Sequence, residues 1–206
     1  MIEAIVLAAG ASSRMGFPKA LLEAPDGRSF LACVVGVLGD AGFGRVFVVT
    51  GAHHEDIARA VRGSVELASV ELVRNEDPAR GQLSSLLVGL ERASANEQTQ
   101  AVLVTLVDVP MLAATTVERV VERWRVTRAP IVRPTCSGQH GHPVVFDRQV
   151  FAVLRAASLD VGAKAVVRAY ADQVENVAVD DEGCVMDVDT TDDYARLRAS
   201  RPSRES

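Results

Sequence analysis

Residues 2–19 read Ile2-Glu3-Ala4-Ile5-Val6-Leu7-Ala8-Ala9-Gly10-Ala11-Ser12-Ser13-Arg14-Met15-Gly16-Phe17-Pro18-Lys19. Apart from Glu3, the stretch up to Ala9 is apolar and it ends at Gly10, the pattern of a buried strand that opens into a glycine-bearing loop. Small residues from Ala8 to Ser13 let backbone N–H groups approach a phosphate chain that larger side chains would hold away. Leu7, Ala8, Ala9, Gly10 and Ser12 are the candidate nucleotide-binding positions of that cradle. Arg14 and Lys19 add charge, suited to stabilising a triphosphate and a leaving pyrophosphate, and neither needs to act as a base. The spacing matches neither G-x-G-x-x-G nor G-x-x-x-x-G-K-[ST], because Gly10 and Gly16 are too far apart and Phe17 follows the second glycine.

Working outward, β-branched runs recur at Val46 to Thr50, Val70 to Val73 and Ala101 to Val107. Between them Leu31, Val34, Val35 and Leu38, and then Leu83, Leu86, Leu87 and Leu90, repeat at helical spacing. Strand and helix in alternation predict an α/β fold, a single domain with a mostly parallel, Rossmann-like sheet and helices on both faces. Ligands of such sheets sit at the carboxyl ends of the strands. Further along, the pattern predicts a helix from Thr115 to Thr127, a short strand at Ile131 and Val132, and a glycine-bearing turn from Ser137 to Gly141. A strand at Pro143 to Phe146 follows, then helices near Arg148 to Ala157 and Gly162 to Ala171, a strand at Val174 to Val179, and a last helix starting near Thr190. The domain is expected to span residues 1–200, with 201–206 a frayed polar tail.

At 206 residues, 48% hydrophobic and 24% charged, the chain has the composition of one globular domain. A formal net charge of -5 gives no general electrostatic reason to bind nucleic acid or an anionic membrane, so any anion must be held locally. No run approaches the roughly 18 apolar residues of a membrane span, and the N-terminus enters a strand without a basic leader, which implies a cytoplasmic location. Cys33, Cys136 and Cys184 are too dispersed for a metal or disulfide pattern and read as reduced thiols. His53 and His54 read as the start of a solvent-facing helix, without assigned chemistry.

Asp108 ends one strand and precedes Val109-Pro110, so its carboxylate emerges at the same sheet edge as the first loop. A lone strand-end carboxylate suits Mg²⁺, which prefers one or two carboxylates with phosphate oxygens and waters. The alternative is that Asp108 caps a helix from Leu112 onward. Asp187-Val188-Asp189-Thr190 offers a second ligand: alternation puts Asp187 and Asp189 on one side of a short strand, and Thr190 caps the helix behind it. Gly81 and Ser84 open a helix whose free N–H groups suit an anion or a base edge.

Leu7 to Lys19 resembles the L-A-[AG]-G-x-S-x-R-M-G-x-x-K signature of the MobA/MocA-like molybdenum cofactor nucleotidyltransferases, and the resemblance extends in matching order to about Leu197. It implies a fold of the nucleotide-diphospho-sugar transferase type and a Mg²⁺-dependent transfer of a nucleoside monophosphate to a molybdopterin-type acceptor. It implies Asp108 and Asp189 as metal ligands, and Asn75, Gly81, Gln82 and Ser85 as contacts to base and ribose. Gly141-His142-Pro143 and Gly162-Ala163-Lys164 resemble the acceptor side, implying acceptor-binding roles for His142 and Lys164. Ala9, where guanylyltransferases of the family carry Gly, points to CTP. A molybdoenzyme or its chaperone is the implied partner. The rivals are a GTP-dependent or sugar- or polyol-phosphate enzyme on the same scaffold, and a nucleotide-binding regulatory or chaperone protein without turnover.

Overall fold

Strand β1 (Ile2–Ala8) is buried on both faces because helices cover both sides of the sheet that it centres. The computed structural model describes residues 1–10 and 16–199. After β1 come α1 (Phe30–Asp40), β2 (Val46–Thr50), α2 (His54–Arg62), β3 (Val70–Arg74), α3 (Gln82–Ser94), β4 (Ala101–Leu106) and α4 (Ala114–Thr127). The second half adds β5 (Ile131–Cys136), β6 (Gln139–His140), β7 (Val144–Asp147), α5 (Phe151–Ala156), α6 (Ala163–Ala169), β8 (Val174–Ala178) and α7 (Thr191–Ala199).

The sheet runs β3-β2-β1-β4-β7-β5-β6, with β8 beside β5. Pairings β1 with β2, β1 with β4, β2 with β3 and β5 with β8 are parallel, whereas β7 is antiparallel to both β4 and β5. The alternation of strand side chains divides the core. Ala4, Val6 and Ala8 face α1 and α4, packing with Leu31, Val35, Val117 and Trp124. Ile5 and Leu7 face α3 and α5, packing with Leu83, Leu86 and Leu154. Each fully buried Ile, Leu or Phe side chain in these layers contributes about 1.5–3 kcal/mol. Gly89 lets α3 lie close on the sheet, since a Cβ there would come within 2.8 Å of Ile5 Cγ2 and 2.9 Å of Val49 Cγ2.

The chain leaves β1 towards β2 on one side and later returns to β4 on the other, so the order reverses between β1 and β4. At that switch point the loops diverge and open a crevice beyond the strand ends.

Several elements differ from expectation. Strand β5 runs to Cys136 rather than stopping at Val132: Pro134 interrupts the apolar pattern, yet the parallel ladder to β8 continues through Thr135. The expected turn at Ser137 to Gly141 contains β6, paired back onto Thr135 and Cys136. The segment Asp187 to Asp189 forms no strand of the sheet. Its alternation survives, with Val188 buried and Asp187 and Asp189 exposed. The expected frayed tail, 201–206, lies outside the described residues. No helix among the described residues is long and apolar enough to cross a membrane.

Candidate active site

A cavity of about 310 Å³ opens at the β1–β4 switch point. Leu7, Ala8, Ala9 and Gly10 form one wall, Gly81, Gln82 and Ser85 another, and Lys19, Asp108 and Asp189 lie at one side. Three distant segments deliver these last groups. Lys19 starts a short 3-10 turn, Lys19–Leu21. Asp108 follows β4, whose continuation is tied to β1 by the Val107 N–H donating to the Leu7 carbonyl at 3.1 Å. Val188 donates its N–H to the Asp108 carbonyl at 3.0 Å, which brings Asp189 alongside.

Lys19 Nζ donates to Asp108 Oδ2 at 3.0 Å and to Asp189 Oδ1 at 2.6 Å. Burial opposes the lysine's charge, but the hydrogen bonds and charges of Asp189 and Asp108 outweigh it and hold its pKa above the usual value. Asp187 belongs to the same cluster. Burial, then the charges of Asp108 and Asp189, push its carboxyl up to about 6. Two carboxylates on one lysine leave the cluster net negative.

Asp108 Oδ1 is buried and has no hydrogen-bond partner among the described residues. A bare, desolvated carboxylate oxygen beside a second carboxylate fits a hard divalent cation. No group of three or more His, Cys, Asp or Glu ligands occurs among the described residues, so such an ion would take much of its shell from water and phosphate, as Mg²⁺ does. Asp108 has no part in capping. Helix α4 starts at Ala114, close to the expected Thr115, and its first turn is held by Asp181, whose Oδ2 accepts from Ala113 N–H at 3.0 Å and Thr116 Oγ1 at 2.7 Å. Thr190 does cap α7, accepting from Asp193 N–H at 3.1 Å while Asp193 Oδ2 accepts from Thr190 N–H at 3.0 Å.

A second cavity, of about 350 Å³, adjoins the first through shared walls at Leu7, Gln82 and Leu106. His142 and Lys164 both line it. Lys164 stands on the first turn of α6 rather than in a loop. His142 is half-buried, and its buried Nδ1 is unpartnered among the described residues. Burial pushes its pKa down, outweighing a hydrogen bond with the Val104 backbone and the charge of Asp108, so the ring is neutral at pH 7. Leu86, Val104, Val144 and Phe146 give this cavity an apolar floor.

The family model described as the MobA-like NTP transferase domain matches residues 4–174. The chain belongs to this family. It is 33% identical over 203 residues to the nicotine blue oxidoreductase of Paenarthrobacter nicotinovorans, covering 95% of this chain and 96% of that protein. It is 24% identical to the molybdenum cofactor cytidylyltransferase of Escherichia coli over 94% of this chain and 93% of the relative. A protein of Rhodopirellula baltica named "Probable molybdenum cofactor guanylyltransferase" is 34% identical over 62% of this chain and 58% of its own length. Among solved structures, Rv0371c from Mycobacterium tuberculosis H37Rv superposes with a TM-score of 0.78 at 34% identity, over 97% of both chains. A complex of Rv0371c with manganese gives 0.75 at 31%, over 97% of this chain and 98% of the other.

In this MobA-like domain Asn75 is not among the residues that line the first cavity. It is 4% exposed, and its Nδ2 donates to Ser84 Oγ at 2.9 Å and Ser85 Oγ at 3.0 Å, while Oδ1 accepts from Asp77 N–H at 3.0 Å. Both amide protons are engaged by the serines, and these bonds tie Asn75 to the start of α3. Gly81 precedes that helix at φ 94°, a conformation that a side chain would strain. Ser12 and Arg14 lie outside the described residues.

His53, which the sequence reading passed over, lines the first cavity, while His54 Nδ1 is bound to Thr50 Oγ1 at 2.6 Å. Arg133, His140 and Arg168 line the second cavity and were also missed. No motif marks them. They meet only through the pairing of β5 with β6 and the packing of α6.

Proposed function

We propose that this MobA-like transferase moves CMP from CTP to the phosphate of a molybdopterin-type acceptor and releases pyrophosphate, with Mg²⁺ held by Asp108 and Asp189. The observation that carries the reading is the convergence of Lys19, Asp108 and Asp189 at one side of a glycine-walled cavity, with Asp108 Oδ1 buried and unpartnered. When bound, the ion would neutralise phosphate charge and orient the triphosphate.

The chain's own groups do the rest. Backbone from Leu7 to Gly10, with Lys19 and Arg14, receives the triphosphate and the departing pyrophosphate. The start of α3, at Gly81, Gln82 and Ser85, receives base and ribose, positioned by Asn75. His142 and Lys164 hold the acceptor in the adjoining cavity. An acceptor phosphate oxygen forms a bond to the α-phosphorus as the bond from that phosphorus to the bridging oxygen breaks, and the electron pair leaves on pyrophosphate. A phosphate monoester is already a nucleophile, so no general base is required.

Ala9 supports CTP over GTP. The product is handed to a molybdoenzyme or its chaperone in the cytoplasm. Incubation with each NTP, Mg²⁺ and molybdopterin, with pyrophosphate as the readout, tests the reading. Release with CTP well above GTP is expected, GTP preference overturns the base assignment, and inertness with every NTP overturns the enzyme.

Whole-chain similarity to a protein named nicotine blue oxidoreductase favours a second reading, in which the chain is an oxidoreductase. The carboxylate pair weighs against it, since hydride transfer has no need of two metal-ligating carboxylates. Consumption of a reduced nicotinamide nucleotide without pyrophosphate release would decide for it.

A further inference from the structure

The second cavity carries more positive charge than one attacking phosphate requires. Arg133, Lys164 and Arg168 line it together with His140 and His142, and no carboxylate is among its described lining residues. None of the three cations has an ion pair among the described residues, although most of the described arginines do, including Arg28, Arg45, Arg92 and Arg123.

These cations fall into two groups. Lys164 acts on groups nearer the first cavity: its charge is felt by Asp187 and by His142, which also feels Asp108. Arg133 is instead the neighbour of His140, whose pKa burial and the Arg133 charge both push down. Arg168 stands four residues beyond Lys164 on α6, about 6 Å further along the helix.

The Arg133 guanidinium is aimed but not neutralised. Its Nε donates to Asn176 Oδ1 at 2.9 Å, across the register that pairs Arg133 of β5 with Asn176 of β8. A neutral amide orients the planar fork and leaves its charge uncompensated. Partial burial of such a group is costly unless an anion completes it.

We infer that Arg133 and Arg168 form an anion subsite for a second negatively charged group of the acceptor, separate from the phosphate that attacks. This rests on the reading of the second cavity as the acceptor's. The attacking phosphate lies at the junction with Lys164 and His142, and the apolar floor of Leu86, Val144 and Phe146 carries the acceptor body towards the arginines. The subsite thereby selects acceptors that are anionic at both ends.

Inorganic sulfate is the probe for direct binding. Titration monitored by NMR should show sulfate bound by the wild type and by Lys19→Met, and weakened at least tenfold in Arg133→Gln/Arg168→Gln. Arg168→Gln alone, on the surface of α6, gives a partial loss if the double variant does not fold. In pyrophosphate release with molybdopterin as acceptor, the arginine variants should raise the acceptor KM about tenfold while kcat and the KM for CTP stay within about twofold. Unchanged sulfate binding, or an unchanged acceptor KM, overturns the subsite. Arginine-dependent sulfate binding in a wild type that releases no pyrophosphate keeps the subsite and removes the transfer reaction.

Discussion

Val188 donates its backbone N–H to the carbonyl oxygen of Asp108 at 3.0 Å, and this bond holds the loop before α7 against the end of β4. Val188 is 1% exposed and packs with Ala24, Phe30 and Leu197, so the segment is anchored by a buried side chain as well as by a hydrogen bond. Asp189 on one side of it bonds to Lys19, and Asp187 on the other feels the charges of Asp108 and Asp189.

Asp108→Asn and Asp189→Asn remove charge with little change of shape. Each should lower pyrophosphate release by about 10³-fold, on the scale of losing a main electrostatic stabiliser. Equilibrium binding of CTP should persist at reduced affinity. Turnover that survives in Asp108→Asn would show that this carboxylate is not part of the metal site.

Lys19 bonds to the same two carboxylates that the metal reading requires. Lys19→Met should bind Mn²⁺ about tenfold more tightly than the wild type in the absence of nucleotide, as read by electron paramagnetic resonance. With nucleotide and acceptor its kcat/KM should fall about 100-fold, because the triphosphate loses a cation. Equal Mn²⁺ affinity in the two proteins would rule out competition between lysine and metal.

Asp181 supplies the cap that the sequence suggested for Asp108. Asp181→Ala should cost about 1–2 kcal/mol in urea unfolding, the usual penalty for a lost cap. Its kcat should stay within about twofold of the wild type. A large catalytic loss without destabilisation would assign Asp181 a place in the site.

Asn75→Ala removes the donor to both Ser84 and Ser85 and the acceptor for Asp77. Leaving buried groups unpaired costs about 1–3 kcal/mol. The KM for CTP should rise several-fold through displacement of the α3 start, and Asn75→Asp should restore only the Asp77 bond. A normal KM in a destabilised Asn75→Ala protein would separate this network from nucleotide binding.

Asp187 retains its proton up to about pH 6, above the ordinary 3.8 of an aspartate. A carboxyl whose folded pKa is raised favours folding at low pH, and that contribution is lost as pH rises from near 4 through 6. Asp187→Asn should therefore raise the metal-free Tm at pH 7.5 and leave it nearly unchanged at pH 4. A lower Tm at pH 7.5 would mean that the charged carboxylate is stabilising.

Much of one wall of the first cavity was legible because one contiguous motif builds it. The stretch from Leu7 to Gly10 lies at the end of a strand whose burial is written in its own apolar run, and α3 was recognisable from the spacing of Leu83, Leu86 and Leu90. Asn75 was legible as a residue of interest but not in its role. Whether an amide faces a ligand or two serines depends on the packing of α3 against β3, and no local pattern encodes that.

By itself the chain's order of residues determined the alternation of strand and helix, the small residues at the end of β1 and the types of charged group available, since these depend on periodicity and side-chain size within a few residues. Tertiary structure alone decided which carboxylate caps α4, which pair meets Lys19, and that Arg133 and Arg168 share a cavity. Those outcomes turn on strand register and on hydrogen bonds between segments far apart in the chain, such as Val188 to Asp108, where a shift of one residue would send each side chain to the opposite face.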